Sequence, residues 1–219
     1  PLDRVFHKAG FGTVVTVTSL RGRVQVGEEF DLLADRTEPL TRFKVRALQA
    51  LGESKGEISA GMRTAVNIVG RDTERAARGM VLAKPEFFRC SKSCIAWIAV
   101  LKGQKPLGAE TLMVHLGTTE REARVLVLGA REIGPQAAGA VLLRFTSPVP
   151  TFAGDRLVLR RPGLHGQATA AGGEVLEPDP PVGKGAVSRC SERVSLLKGS
   201  ASERLLALVM ESRFQGFPI

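Results

Sequence analysis

The chain has 219 residues, 43% hydrophobic and 24% charged, which suits one large or two small folded domains. No apolar run approaches the ~18 residues needed to span a bilayer, so a soluble protein is expected, and the start at Pro1-Leu2-Asp3, with no basic or apolar leader, leads to the expectation of a piece from within a longer cytoplasmic protein. A net charge of +9 with a pI near 10.1 fits either a polyanionic partner such as RNA or a solubilising surface, and the excess is spread along the chain without a concentrated patch.

The first organising stretch runs from Gly10 to Leu33. Its β-branched residues from Thr13 to Thr18 fit a pleated sheet, and Gly10, Gly12, Gly22 and Gly27 supply bends, so the pattern predicts a small antiparallel barrel. Strands are predicted at Thr13 to Leu20, Glu29 to Leu33, Thr41 to Leu51 and Thr64 to Val69. After a linker from Phe87 to Ser93, a second set follows at Ser93 to Leu101, Thr111 to Leu116, Arg124 to Leu128, Ala140 to Phe145 and Arg156 to Leu159.

Beyond a joint from Glu177 to Lys184 the apolar period changes from two to about 3.6. Cys190, Val194 and Leu197 share one helical face, and Leu205, Leu208 and Val209 another. Ser200 with Glu203 forms a capping-box start and Gly216 a stop. Helices this short need apolar partners, which are expected to lie outside the chain.

Cys90, Cys94 and Cys190 match neither a disulfide framework nor a zinc knuckle, so reduced thiols are expected. His7, His115 and His165 are scattered, no metal site is expected, and His115 reads as a packed strand residue. Asp155 with Arg156 and Arg160 reads as an ion pair at a barrel end or between domains. No Gly-x-x-x-x-Gly-Lys-Ser/Thr phosphate loop occurs, so nucleotide binding and catalysis are not assigned to these residues.

Three runs in order carry a resemblance: Gly12-Thr13-Val14-Val15-Thr16, then Ala60 to Gly70 (AGMRTAVNIVG), then Arg78 to Pro85 (RGMVLAKP). They resemble the second domain of translational GTPases of the elongation factor Tu type. His115 to Thr118, Gly154 to Arg160 and Gly172 to Leu176 resemble the third domain of one branch, the selenocysteine-specific elongation factor family (SelB). The resemblance implies two consecutive small antiparallel β-barrels in a mainly β chain, over 1–86 and 87–178. It also implies a linker and the truncated start of a winged-helix region over 179–219. Partners implied are selenocysteyl-tRNA, the ribosome and, through further domains, a messenger RNA hairpin. GTP and Mg2+ would belong to an upstream domain, so the parent would be a GTPase.

By the same resemblance, Asp3, Arg4 and Arg63 line the pocket for the selenocysteyl end. The chemistry suits the residue types, because a selenol is largely ionised at neutral pH while serine is not, and arginine keeps its charge when partly desolvated. Read without the resemblance, the same residues make a surface ion pair and a solvated strand start. His7 and Lys8, which could reach the same pocket, and Arg21 and Arg23, at a turn, are further candidates for tRNA contact.

The chain departs from the family pattern at Val17, where a Gly is usual, at Ala9, where a Lys is expected, and at Ala171 and Glu174, the ends of a Gly-Gly-Gly-Arg run. These departures leave a decayed paralogue open. An ordinary aminoacyl-tRNA carrier, an initiation-factor subunit and the barrels of a GTP-coupled sulfate adenylyltransferase also stay open.

Overall fold

The computed structural model describes residues 1–8, 12–85, 90–162 and 168–212. Ala9, Gly10, positions 87–89 of the expected linker, His165 and Gly216 lie outside them, as do the side chains of Lys8, Leu208 and Val209. The chain divides into two compact units. One comprises Pro1–Ser91 with Gly117–Glu120 and Ser147–Pro150, the other Lys92–Leu116, Arg121–Thr146 and Thr151–Ile219.

The first unit holds β1 (Leu2–Lys8), β2 (Gly12–Thr18), β3 (Arg23–Gln25), β4 (Glu29–Leu33), β5 (Thr41–Ala50), β6 (Glu53–Lys55), β7 (Glu57–Ser59), β8 (Arg63–Gly70) and β9 (Val81–Ala83). Its main sheet runs β1-β2-β8-β5-β4-β9, with β6 on the side of β5 and a separate β3-β7 ladder. The two ends of that path meet just before β9, where the Leu2 amide donates to Met80 O at 2.8 Å and the Gly79 amide to Leu2 O at 3.2 Å. Alternation in β2 sends Thr13, Val15 and Val17 inward, where the two valines join Leu2, Phe30, Phe43, Val45, Val66 and Ile68 in one core. Val17 pairs with Leu2 on one side and Thr64 on the other as an ordinary strand residue, so a branched side chain at this position fills the core without strain.

A second set of strands, β10 (Cys90–Val100), β11 (Thr111–Leu116), β12 (Thr119–Val127), β13 (Ala138–Pro150), β14 (Arg156–Arg161) and β15 (Ala168–Glu177), closes as β10-β13-β12-β11-β14-β15. The closing pair β10-β15 sets Gly173 opposite Ile98, and a Cβ there would come within 2.0 Å of Trp97 O, so only glycine fits. The neighbouring departures fit the fold: Ala171 is buried as a small residue and Glu174 is exposed.

Two helices follow, α1 (Ala186–Lys198) and α2 (Ala201–Ser212). A mainly β chain with a short helical segment was expected and is found. The expectation that the helical faces lack partners in the chain is overturned for α1, whereas Leu205 on the expected α2 face is exposed. Cys190, Leu197 and Ala207 are buried against Ile95, Leu128, Ala140 and Leu142, with Trp97, Leu126, Leu176 and Val194 around them. The reason lies in β13, where Ala140, Val141, Leu142 and Leu143 are all buried. Alternate residues of that run fill the barrel, and the others give its outer surface an apolar patch that α1 and α2 cover. Glu177 and Arg193, both under a tenth exposed, add a buried ion pair at 2.7 Å.

Candidate functional site

The site is built at one end of the first sheet by three local features. Between Leu2 and Arg4 the register of β1 against β2 slips, and this bulge re-aims Asp3. Leu2 is fully buried, and its two backbone hydrogen bonds to the Gly79-Met80 segment bring the preceding Arg78 to the same end. In the Ala60-Gly61-Met62-Arg63 run, Gly61 takes φ +89, a left-handed turn that glycine adopts without penalty, and Arg63 becomes the first residue of β8.

These features converge on the Asp3 carboxylate. Arg63 Nη2 donates to Asp3 Oδ2, and Arg78 Nη1 lies 4.0 Å from Asp3 Oδ1. The Asp3 side chain is 30% exposed, that of Arg63 56% and that of Arg78 66%, so both guanidiniums keep faces open to a ligand. Arg4 is exposed and has no ion pair among the described residues. One carboxylate therefore orients an arginine cluster that it only partly neutralises, which is an anion-seeking arrangement with fixed donor directions.

Of the residues singled out from the sequence, Asp3 and Arg63 meet directly, and Arg4 adjoins them in β1. Arg21 and Arg23 flank Gly22 at a turn tied to the same end of the sheet, through Ser19 N to Met62 O at 3.1 Å and Ala60 N to Gly22 O at 3.0 Å. Arg23 also lies 3.8 Å from Glu57. His7 does not reach Asp3, because four residues of extended β1 carry it on the order of 13 Å along the strand. His7 Nδ1 instead lies 3.3 Å from Thr13 Oγ1. Sequence reasoning missed Arg78; its Arg-Gly-Met run was noticed, but only the closing contact of Gly79 and Met80 with Leu2 shows where its charge goes.

Other candidate chemistry is structural. His115 pairs with Val158 in the wall of the closed barrel and is half-buried. Asp155 closes a turn by accepting the Phe152 amide at 2.8 Å. Arg161 is held by Glu110 through two hydrogen bonds, at 2.7 and 2.9 Å, which push its pKa upward. Burial, with a smaller contribution from Asp35, raises the Cys90 thiol to about 11, and burial drives Cys94 higher still, so neither is set up as a thiolate nucleophile. Among the described residues no group of three or more His, Cys, Asp or Glu could hold a metal ion.

An antiparallel sheet with a closing strand contact, followed by a closed barrel, is the architecture that the resemblance to a translation factor implied. Residues 96–182 match the model of the selenocysteine-specific elongation factor β-barrel domain. The chain is 34% identical over 180 residues to the selenocysteine-specific elongation factor of Desulfomicrobium baculatum, covering 81% of this chain. It is 32% identical over 185 residues to that of Escherichia coli strain K12, covering 82% of this chain. Residues 96–182 belong to the β-barrel domain family of selenocysteine-specific elongation factors, and most of the chain is similar to the same factors. The matched stretch spans 27% of the length of each of these relatives.

Proposed function

We propose that this chain is the tRNA-holding part of a cytoplasmic factor that delivers selenocysteyl-tRNA to the ribosome at a recoded UGA codon. The observation that carries this reading is the Asp3 carboxylate joined to Arg63 and neighboured by Arg78, in a chain similar to this family. Selenocysteine presents an anionic selenolate where serine presents a neutral hydroxyl, and guanidiniums that stay charged favour the former. Asp3 orients Arg63 for that contact, and the exposed turn with Arg21 and Arg23 is suited to phosphate. The second barrel would hold the tRNA stem, and residues past α2 would lead towards a messenger-binding arm. GTP and Mg2+ would be held by another domain of the whole factor, since this sequence supplies no phosphate loop, and no hydrolytic step is assigned to the residues described here. The family match over 96–182 favours this reading over a sulfate adenylyltransferase or an ordinary carrier.

The test compares the affinity of the full-length protein for selenocysteyl-tRNA and seryl-tRNA, with and without Arg63→Ala. Loss of one charge-assisted contact, ~1.5–3 kcal/mol, lowers the preference for the selenocysteyl form by roughly one to two decades. Equal affinity of the unsubstituted protein for both tRNAs would sink the reading.

A further inference from the structure

On the closed barrel, β12 and β13 pair with Arg124 directly opposite Arg144. Both are exposed, and neither has an ion pair or hydrogen bond among the described residues. Like charges facing each other across antiparallel strands are destabilising, because their Cβ atoms sit only ~4.5–5.5 Å apart. The barrel also has nearby alternatives. Two residues towards the helices on the same face, the pair is Leu126 and Leu142, packed beneath α1 and α2. Two residues the other way, Glu122 and Thr146 are exposed and joined only through Thr146 Oγ1 to Glu122 O at 3.4 Å. The arginine pair is thus the first uncovered step beside the helical hairpin, a repulsive pair retained where nothing in the barrel uses it.

We propose that Arg124 and Arg144 form a two-guanidinium clamp on the phosphate backbone of RNA. The reading deepens the tRNA-binding function proposed above and rests on it. RNA is the occupant that fits: the chain carries +9 net charge, two adjacent guanidiniums match adjacent phosphates, and binding relieves their mutual repulsion by placing anions between them. The step carries no exposed aromatic side chain, Phe145 being buried, so the contact is with backbone phosphate and is insensitive to base sequence.

The experiment measures Kd of the full-length protein for selenocysteyl-tRNA across a series of KCl concentrations, together with the melting temperature. The variants are Arg124→Gln, Arg144→Gln, the double substitution and Arg144→Lys. Each phosphate contact contributes ~0.7–0.9 to the slope of log K against log salt, so each Gln variant flattens the slope by about that amount and the double variant by about twice as much. Melting temperature stays level or rises as the repulsion is removed, and Arg144→Lys keeps the parental slope. An unchanged slope in folded single Gln variants overturns the clamp while leaving the selenocysteyl preference intact, which is the result expected if the pair serves an acidic protein instead. Weaker binding that merely follows a fall in melting temperature also overturns it. Absence of tRNA binding by the unsubstituted protein brings down both the clamp and the function it rests on.

Discussion

Leu51 shows how a single residue can be costly in this fold. It sits at the tip of the β5-β6 hairpin, 94% exposed, with φ +53, and Gly52 follows at φ +81. Two successive positive φ values make a two-residue turn of the mirror-image kind, where Asn-Gly is the favoured pair. Leucine there pays a left-handed penalty on the order of 1 kcal/mol and gains nothing by burial. Leu51→Asn is therefore expected to stabilise the protein by about 1 kcal/mol, read as a rise in the denaturation midpoint with an unchanged denaturant slope. A neutral or lower midpoint would show that the tip has another conformation in solution. The residues of the candidate site differ in how far the sequence reveals them. Asp3 and Arg63 are 60 positions apart and are legible only as parts of quoted motifs. Arg78 is invisible, because its place depends on a strand-closing hydrogen bond rather than on any local pattern.

At the scale of elements, strands with β-branched alternation were legible and those without it were not. Glu29–Leu33 and Thr111–Leu116 match their predicted limits. β1 was missed because Arg4, Phe6 and His7 give its outer side a mixed character, and β15 because Ala170 to Gly173 carries small residues where a strand is usually branched. At Gly173 the close approach of β10 requires such a small residue. The helix start at Ser200 was legible because its chemistry is local. The Ser200 amide and hydroxyl both donate to Glu203 Oε2, at 2.7 and 2.8 Å, and the Glu203 amide donates back to Ser200 Oγ at 3.3 Å. The Ser200 amide, then its hydroxyl, hold the Glu203 carboxyl below its ordinary value of 4.5. A lowered folded pKa means that the cap is fully present above pH 4.5 and is lost as pH falls through the folded value. Far-ultraviolet circular dichroism should show a helical loss below that pH in the unsubstituted protein. Glu203→Gln should flatten this dependence, and an identical acid profile in both would exclude the cap as its source.

Over the whole molecule, the hardest feature to read was where the helices go. Their 3.6 period declared an apolar face, but the partner surface is the outer side of β10, β12 and β13, strands whose inner side already fills a barrel. A run such as Ala140 to Leu143, buried on both faces, has no alternation to announce which side meets a helix. The same packing places a buried ion pair between α1 and the end of β15. Arg193, 7% exposed, meets Glu177, 5% exposed, at 2.7 Å. Replacing such a pair with apolar groups can be neutral, but removing one member takes from a buried charge its ion-pair partner, a change that costs up to ~3–5 kcal/mol. Arg193→Ala is therefore expected to release α1 rather than to melt the barrel first. Trp97 reports this directly. It is the only tryptophan, the chain has no tyrosine, and it packs in the helix-covered patch with Lys198 Nζ 3.5 Å above its ring. In Arg193→Ala the tryptophan emission should shift to the red and become more accessible to a neutral quencher, while the far-ultraviolet β signal persists. The double variant Arg193→Met with Glu177→Leu restores apolar complementarity and should recover the blue emission. If the single variant keeps the parental spectrum and melting temperature, the buried ion pair does not hold the helix to the barrel. If emission and β signal are lost together, α1 is part of the barrel's cooperative core instead of a separately docked layer.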